Sequence, residues 1–432
     1  MKVARGPAAW ARRALLVLVL VGAAVIPGRA SSQQAPHCTG LRCTTAGSVL
    51  WTRPLPGSWM AESGVSGTVT DEDAAYAAVG DGIAVVGFGT EITAYQALTG
   101  NLLWQFALGG LPPGSAIVSM RVLSGVVAVG VEPPAGQGGP ARDEVILAAA
   151  TGRQIRVYPA AAYGGAVEAD SARTVIVGST AVTAYANASG GVLWRRAIGP
   201  GAPAWRVSGA YLYVTDPSRH PAGMAPAVSA LRRISLLTGA ERTVRPRSAA
   251  FAGALAGAVE FALPDGGPPR DVVLFSGADR VVAYDGETGV LLWHKDSAVL
   301  ELADSARDAV YLATGSSLIG VDALSGGVIS RAPLSVAASL YWVSDGVALG
   351  LDQNALGEAW GYSLTAGRVL WTSPGLPWPH FFVDLSGLGG SAGQGSDFMV
   401  LATCARLGAP ASPASAAACA RPKLAAVLIN SR

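Results

Sequence analysis

The chain has 432 residues, is 50% hydrophobic and only 14% charged, and carries a formal charge of +2. That composition excludes an intrinsically disordered chain. With 31 basic against 29 acidic residues, it also lacks the clustered basic excess that a nucleic-acid partner demands. The 55 glycines and 27 prolines predict many short elements joined by turns.

The N-terminus reads as a targeting segment. Arg5, Arg12 and Arg13 precede an apolar run from Ala14 to Ile26, and Gly28-Arg29-Ala30 places small residues where a signal peptidase cuts. Residues 1–30 are therefore expected to be a signal peptide. The alternative is an uncleaved membrane anchor, with flanking Ala and Gly lengthening the apolar run. Arg12-Arg13 also fits a twin-arginine signal, so the export route stays open. Residues 1–30 hold five basic side chains and no acid, so their removal turns +2 into −3. The expected location is extracytoplasmic, secreted or associated with the cell envelope.

Residues 31–46 form a short linker with Cys38 and Cys43. Cys404 and Cys419 lie near the other end. Four cysteines in an exported chain argue for disulfides. The preferred pairing is local, Cys38–Cys43 and Cys404–Cys419, and a crossed pairing locking the two termini together stays open.

From Gly47 onward one unit recurs. A turn glycine is followed four residues later by a strand anchor: Gly47…Trp51, Gly100…Trp104, Gly190…Trp194, Gly289…Trp293 and Gly367…Trp371. Gly152…Arg156, Gly239…Thr243 and Gly326…Ser330 keep the glycine and lose the tryptophan. Glycine-to-glycine steps of 37 to 53 residues predict propeller blades or a solenoid. Around Gly190 the strands fall near 166–170, 174–178, 181–185 and 192–195, which makes one four-stranded antiparallel blade. The glycine serves the turn between third and fourth strands, where positive φ is needed. The tryptophan is expected to be buried between blades.

The first anchor has no three strands before it. The C-terminus offers strands near 381–383, 398–402 and 424–429 and then stops. The expected solution is that strand 48–52 completes the last blade. The fold class is therefore all-β, a single eight-bladed propeller over 47–432, closed by its N-terminal strand. Long Pro/Gly/Ala-rich segments at 133–142, 217–227 and 406–420 fall between second and third strands, so they share one face of the disc.

Residues 283–293 match the pattern Ala-x-Asp-x-x-Thr-Gly-x-x-x-Trp, and 94–104 match it except for Gln96. This resembles the blade signature of the pyrroloquinoline-quinone-type propellers. The resemblance implies the propeller fold. It also implies three kinds of role: quinone-dependent alcohol and sugar dehydrogenases, the non-enzymatic propeller of the outer-membrane barrel assembly machinery, and exported bacterial sensor or binding propellers with no known ligand. The dehydrogenase pattern requires adjacent cysteines, a Ca²⁺ held by Glu, Asn and Asp, and an Asp base. The four cysteines here are not adjacent, so no cofactor and no catalytic residue is carried over.

Other candidates read as scaffold. Asp71-Glu72-Asp73 lacks the ligand spacing of a calcium loop. His37, His220, His294 and His380 are too dispersed for zinc. Asp285 and Asp322 read as turn formers. Trp59, Trp205, Trp342, Trp360 and Trp378 read as packing residues, with Trp378 the best candidate among them for an exposed aromatic on the loop-rich face. Asn187-Ala188-Ser189 fits an acceptor sequon in a tight turn. The expectation is an exported, monomeric, non-enzymatic scaffold that binds a protein or envelope ligand, with no metal, cofactor or nucleic acid. The alternative is a quinone-dependent dehydrogenase with an unusual site.

Overall fold

Short runs of β-branched and small residues, broken by Gly, Asp and Ser, cannot propagate a helix and instead pair locally. The computed structural model describes residues 49–54, 59–60, 75–373 with short interior interruptions (the longest at 216–227), 398–404, 418–419 and 422–428. The segment 1–30, the linker with Cys38 and Cys43, Gly47, Asp71-Glu72-Asp73, His37, His220, His380, Trp378 and the strand expected near 381–383 lie outside them. All described elements are β, and none is a helix.

Seven sheets of four antiparallel strands follow in chain order, each a simple meander. Sheet 1 spans 75–107, sheet 2 116–161, sheet 3 165–197, sheet 4 205–244, sheet 5 254–296, sheet 6 299–333 and sheet 7 340–373. Such sheets are typical of a β-propeller. The first strands of sheets 1 and 2, and of sheets 4 through 7, lie against one another in succession. A further sheet joins the ends of the chain. Val49–Pro54 pairs antiparallel with Pro422–Leu428, Val49 opposite Val427, and Pro422–Leu428 pairs with Phe398–Cys404. In a separate two-stranded sheet, Trp59–Met60 pairs with Ala418–Cys419.

The core is not central. Apolar clusters fill each interface from sheets 1–2 to sheets 6–7, and each cluster draws on two consecutive sheets. Met120 and Val85 meet between sheets 1 and 2, and Phe251, Phe275 and Tyr284 meet beside Tyr213 between sheets 4 and 5. Each sheet is therefore stabilised by burial against its neighbours more than by a shared interior.

The turn between third and fourth strands repeats closely. Gly100, Gly152, Gly190, Gly239, Gly289, Gly326 and Gly367 all have φ between 65° and 73°. Each donates its N–H to the carbonyl four residues earlier, as Gly289 does to Asp285 at 2.9 Å. A side chain is strained in that conformation, so the repeated glycine follows from the turn.

A β-bulge comes next. In sheet 5, Tyr284 faces Leu291 and Ala283 faces Trp293, which leaves Leu292 extra. Tyr284 and Ala283 point to opposite faces, so Leu291 and Trp293 do too, although they are two apart. One inserted residue thereby turns the indole from the outside toward the next sheet. The same bulge occurs before Trp51, Trp104, Arg156, Trp194, Ser330 and Trp371. Sheet 4 is the exception: its ladder runs without interruption from Ile234–Glu241 to Leu231–Val244.

Candidate functional site

The chemically richest places are the seams where one sheet's outer strand meets the next sheet's turn. The bulge aims an anchor across each seam. Trp104 slides under Gly152, where an added Cβ would sit 2.5 Å from its ring, and its Nε1 donates to Ala149 O at 2.7 Å. Trp51 does the same to Gly100 and Ala97 O, and Trp293 to Gly326 and Ala323 O, both at 2.7 Å. In each case the acceptor is the carbonyl three residues before the turn glycine. These three indoles and Trp371 are 7–8% exposed. Arg53 adds a bond from Nε to Gly100 O at 2.6 Å, and Arg196, two residues after Trp194, repeats it to Gly239 O at 2.6 Å.

Two seams vary the theme. Arg156 stands at an anchor position in sheet 2. Its guanidinium lies over Gly190 and donates to Ala188 O at 2.9 Å and Asn187 O at 3.4 Å. A planar cation replaces the indole and reaches the same carbonyl position. Asn187, the sequon residue, is itself consumed: its Oδ1 accepts from Tyr158 and Thr174, and its Nδ2 donates to Asp170 O. Trp194 packs under Gly239 but is half-buried, less covered than expected, and its buried Nε1 has no acceptor among the described residues.

The sheet 4–sheet 5 seam is built differently. Thr243 offers no ring, and Gly289 meets the Arg245 carbonyl and Val244 instead. The join is polar and lies further in. Asp271 is 7% exposed and accepts from Tyr213 Oη and from Ser208 Oγ at 2.8 Å, both in sheet 4. Arg233 stacks 3.4 Å over the Tyr211 ring and places its guanidinium 3.8 Å from the same carboxylate. Glu260 faces Asp271 across the strand pair, and an added Cβ at Gly209 would fall on its carboxylate. Burial pushes the Asp271 pKa up, against the pull of Tyr213, Ser208 and Arg233. Burial, then the Asp271 charge, pushes Glu260 up. Burial and the same carboxylate hold the Tyr213 phenol far above its ordinary range.

The single residues behave as scaffold. Asp285 Oδ1 accepts from the N–H of Thr288 and Glu287, and Asp322 Oδ1 from the N–H of Ser325, so both close turns. His294 is exposed, 3.7 Å from Asp296. Trp205 is half-buried against the sheet 3–4 core. Trp59, Trp342 and Trp360 lie in described strands. The chain has no adjacent cysteines, and the described residues contain no group of three His, Cys, Asp or Glu placed to hold a metal. The sequence reading missed the Ser208–Tyr213–Arg233–Asp271 cluster. The one signal for it was negative, the absent tryptophan at 243.

Residues 178–380, a little under half of the chain, match the family described as outer membrane protein assembly factor BamB. The chain carries PQQ-like propeller repeats. Solved structures with similar folds include BamB from Moraxella catarrhalis, at 16% identity and TM-score 0.39 over 76% of this chain and 98% of that one. Quinohemoprotein alcohol dehydrogenase from Comamonas testosteroni is similar at 11% identity and TM-score 0.48, over 89% of this chain and 77% of that one. Kluyveromyces lactis Hsv2 is similar at 10% and 0.44, over 67% and 93%. At these values no activity or partner passes from them to these PQQ-like repeats. No curated protein matches the chain in sequence.

Proposed function

We propose that this PQQ-like repeat chain is an exported, non-enzymatic eight-bladed propeller that serves as a scaffold for a protein or other envelope ligand. The match of residues 178–380 to an outer membrane assembly factor carries the reading. The pairing of Val49–Pro54 with Pro422–Leu428 supports an eighth blade closing the ring. Polar groups buried in the seams hold sheets together: Asp271 and Asn187 each join strands of different sheets.

Two surfaces are offered for binding. The Pro/Gly/Ala-rich segments 133–142, 217–227 and 406–420, placed by the sequence between second and third strands, are the first candidate. Exposed apolar pairs also recur on the fourth strands: Leu102-Leu103, Val192-Leu193, Val328-Ile329 and Val369-Leu370, each 43–58% exposed. Repeated exposed apolar surface marks partner contact. In this reading residues 1–30 are the export signal, the alternative of a retained anchor differing only in tethering, and the mature domain is a monomer.

The test is capture from envelope extract by the tagged mature chain, repeated with segments 133–142 and 217–227 shortened. Capture of an envelope protein that depends on those segments supports the proposal. Turnover of alcohols or sugars after loading with quinone and Ca²⁺ would overturn it.

A further inference from the structure

We propose that Glu260 and Asp271 form a proton-operated clasp, by which sheet 5 grips the first hairpin of sheet 4 more firmly when the pair holds a proton than when both are ionised. The inference does not depend on the scaffold reading above.

The geometry carries it. Glu260 and Asp271 are directly opposed in an antiparallel pair, so their side chains leave the same face of sheet 5. Both meet the same short stretch of sheet 4. Ser208 Oγ donates to Asp271, and the Glu260 carboxylate occupies the space that a side chain at Gly209 would take. Gly209 has φ 50°, and its missing Cβ is what admits the carboxylate. Asp271 accepts from Ser208 and Tyr213 and lies 3.8 Å from the Arg233 guanidinium. Glu260 has no hydrogen bond or ion pair among the described residues.

The surrounding charges leave one side unbalanced. From sheet 4 the clasp is faced by Arg233, on Asp271, and by Tyr211 and Tyr213. Arg206 donates instead to the Ala256 carbonyl. From sheet 5 it is faced by Asp285, whose nearest cation is Arg270 at 3.9 Å. Three carboxylates thus share two guanidinium groups, and Arg270 is half-exposed. A proton on Glu260 relieves its repulsion with Asp271 and turns its carboxyl into a donor.

The sign follows. Both carboxyls have pKa values raised on folding. The folded chain therefore binds protons more readily than the unfolded one between the ordinary carboxylate range and the raised values. Stability at this seam grows as pH falls through that window and is lost as pH rises through it.

The experiment compares thermal melts of the whole mature chain and its Glu260→Gln variant from about pH 8 down to about pH 5. The expected result is a melting temperature raised by a few degrees in Glu260→Gln at the upper end, with the difference disappearing at the lower end. Glu260→Ala should show the same closing difference, which separates charge from the amide's own bonds. Hydrogen exchange of 205–215, corrected for intrinsic rates, should show stronger protection in Glu260→Gln than in the parent at about pH 8. A difference that stays constant with pH, or a variant less stable than the parent at about pH 8, would overturn the proposal.

Discussion

The seam between sheets 1 and 2 and the seam between sheets 4 and 5 solve one problem by opposite chemistry. In the first, Trp104 fills the outer gap and donates one bond to a backbone carbonyl. In the second, Thr243 is exposed and offers no ring, and the join moves inward to Tyr213, Ser208 and Asp271. The first depends on area and hardly at all on pH. The second places ionisable groups at 7% exposure for Asp271, where they respond to the medium. The bulge tracks the difference: it precedes Trp104 and is absent from sheet 4. Without the extra residue, a ring at the fourth-strand position would point away from the seam. Sheet 4 lacks both the bulge and the ring, whereas the anchors at Arg156 and Ser330 keep the bulge without a tryptophan.

The comparison is broken most directly by emptying an indole site. Trp104→Ala and Trp293→Ala should each cost about 3–5 kcal/mol, since each leaves a cavity against a glycine that cannot fill it. Denaturant unfolding monitored by circular dichroism measures the loss. A change below about 1 kcal/mol would deny these seams their role.

Next in size is Asp271→Ala, which strands Tyr213 and Ser208 without an acceptor. The expected loss is roughly 2–3 kcal/mol. Tyr213→Phe removes one of the two donors and should cost less than Asp271→Ala by the same unfolding assay. A greater loss for Tyr213→Phe would show that the phenol has some other buried partner.

The smallest effect sharpens the comparison inside the tryptophan group. Trp104→Phe and Trp293→Phe remove an indole donor and orphan a carbonyl, whereas Trp194 has no acceptor to lose. Trp194→Phe should therefore cost about 1 kcal/mol less than the other two. Equal losses at all three positions would assign their effect to ring volume alone.

The strands and their class were legible because the period-two pattern and the turn glycines act locally. The expected strands at 166–170, 174–178, 181–185 and 192–195 lie within a residue or two of 165–169, 173–177, 181–186 and 192–197. The seam chemistry was not legible. Ser208 and Asp271 are 63 residues apart, and neither occupies a motif position. Arg156 reads as a lost tryptophan in the sequence. Only the coordinates show its guanidinium reaching the carbonyls at Asn187 and Ala188. The bulge is invisible in the sequence too, since Leu102-Leu103-Trp104 looks like uninterrupted alternation failing by one residue.

The direction of the staples has a consequence for biogenesis. Where an indole donates across a seam, the anchor precedes its acceptor in the chain: Trp51 to Ala97, Trp104 to Ala149, Trp293 to Ala323. A sheet leaving the ribosome or a translocation pore is thus sealed by the next 30 to 46 residues to emerge. Assembly can proceed vectorially, each unit templating its successor, with low separation between partners and correspondingly fast closure. The pairing of Val49–Pro54 with Pro422–Leu428 is different in kind, because its first strand must wait for all seven four-stranded sheets to emerge. Until Pro422–Leu428 is made, the strand at Val49–Pro54 lacks that partner, and the nascent chain is open to aggregation there.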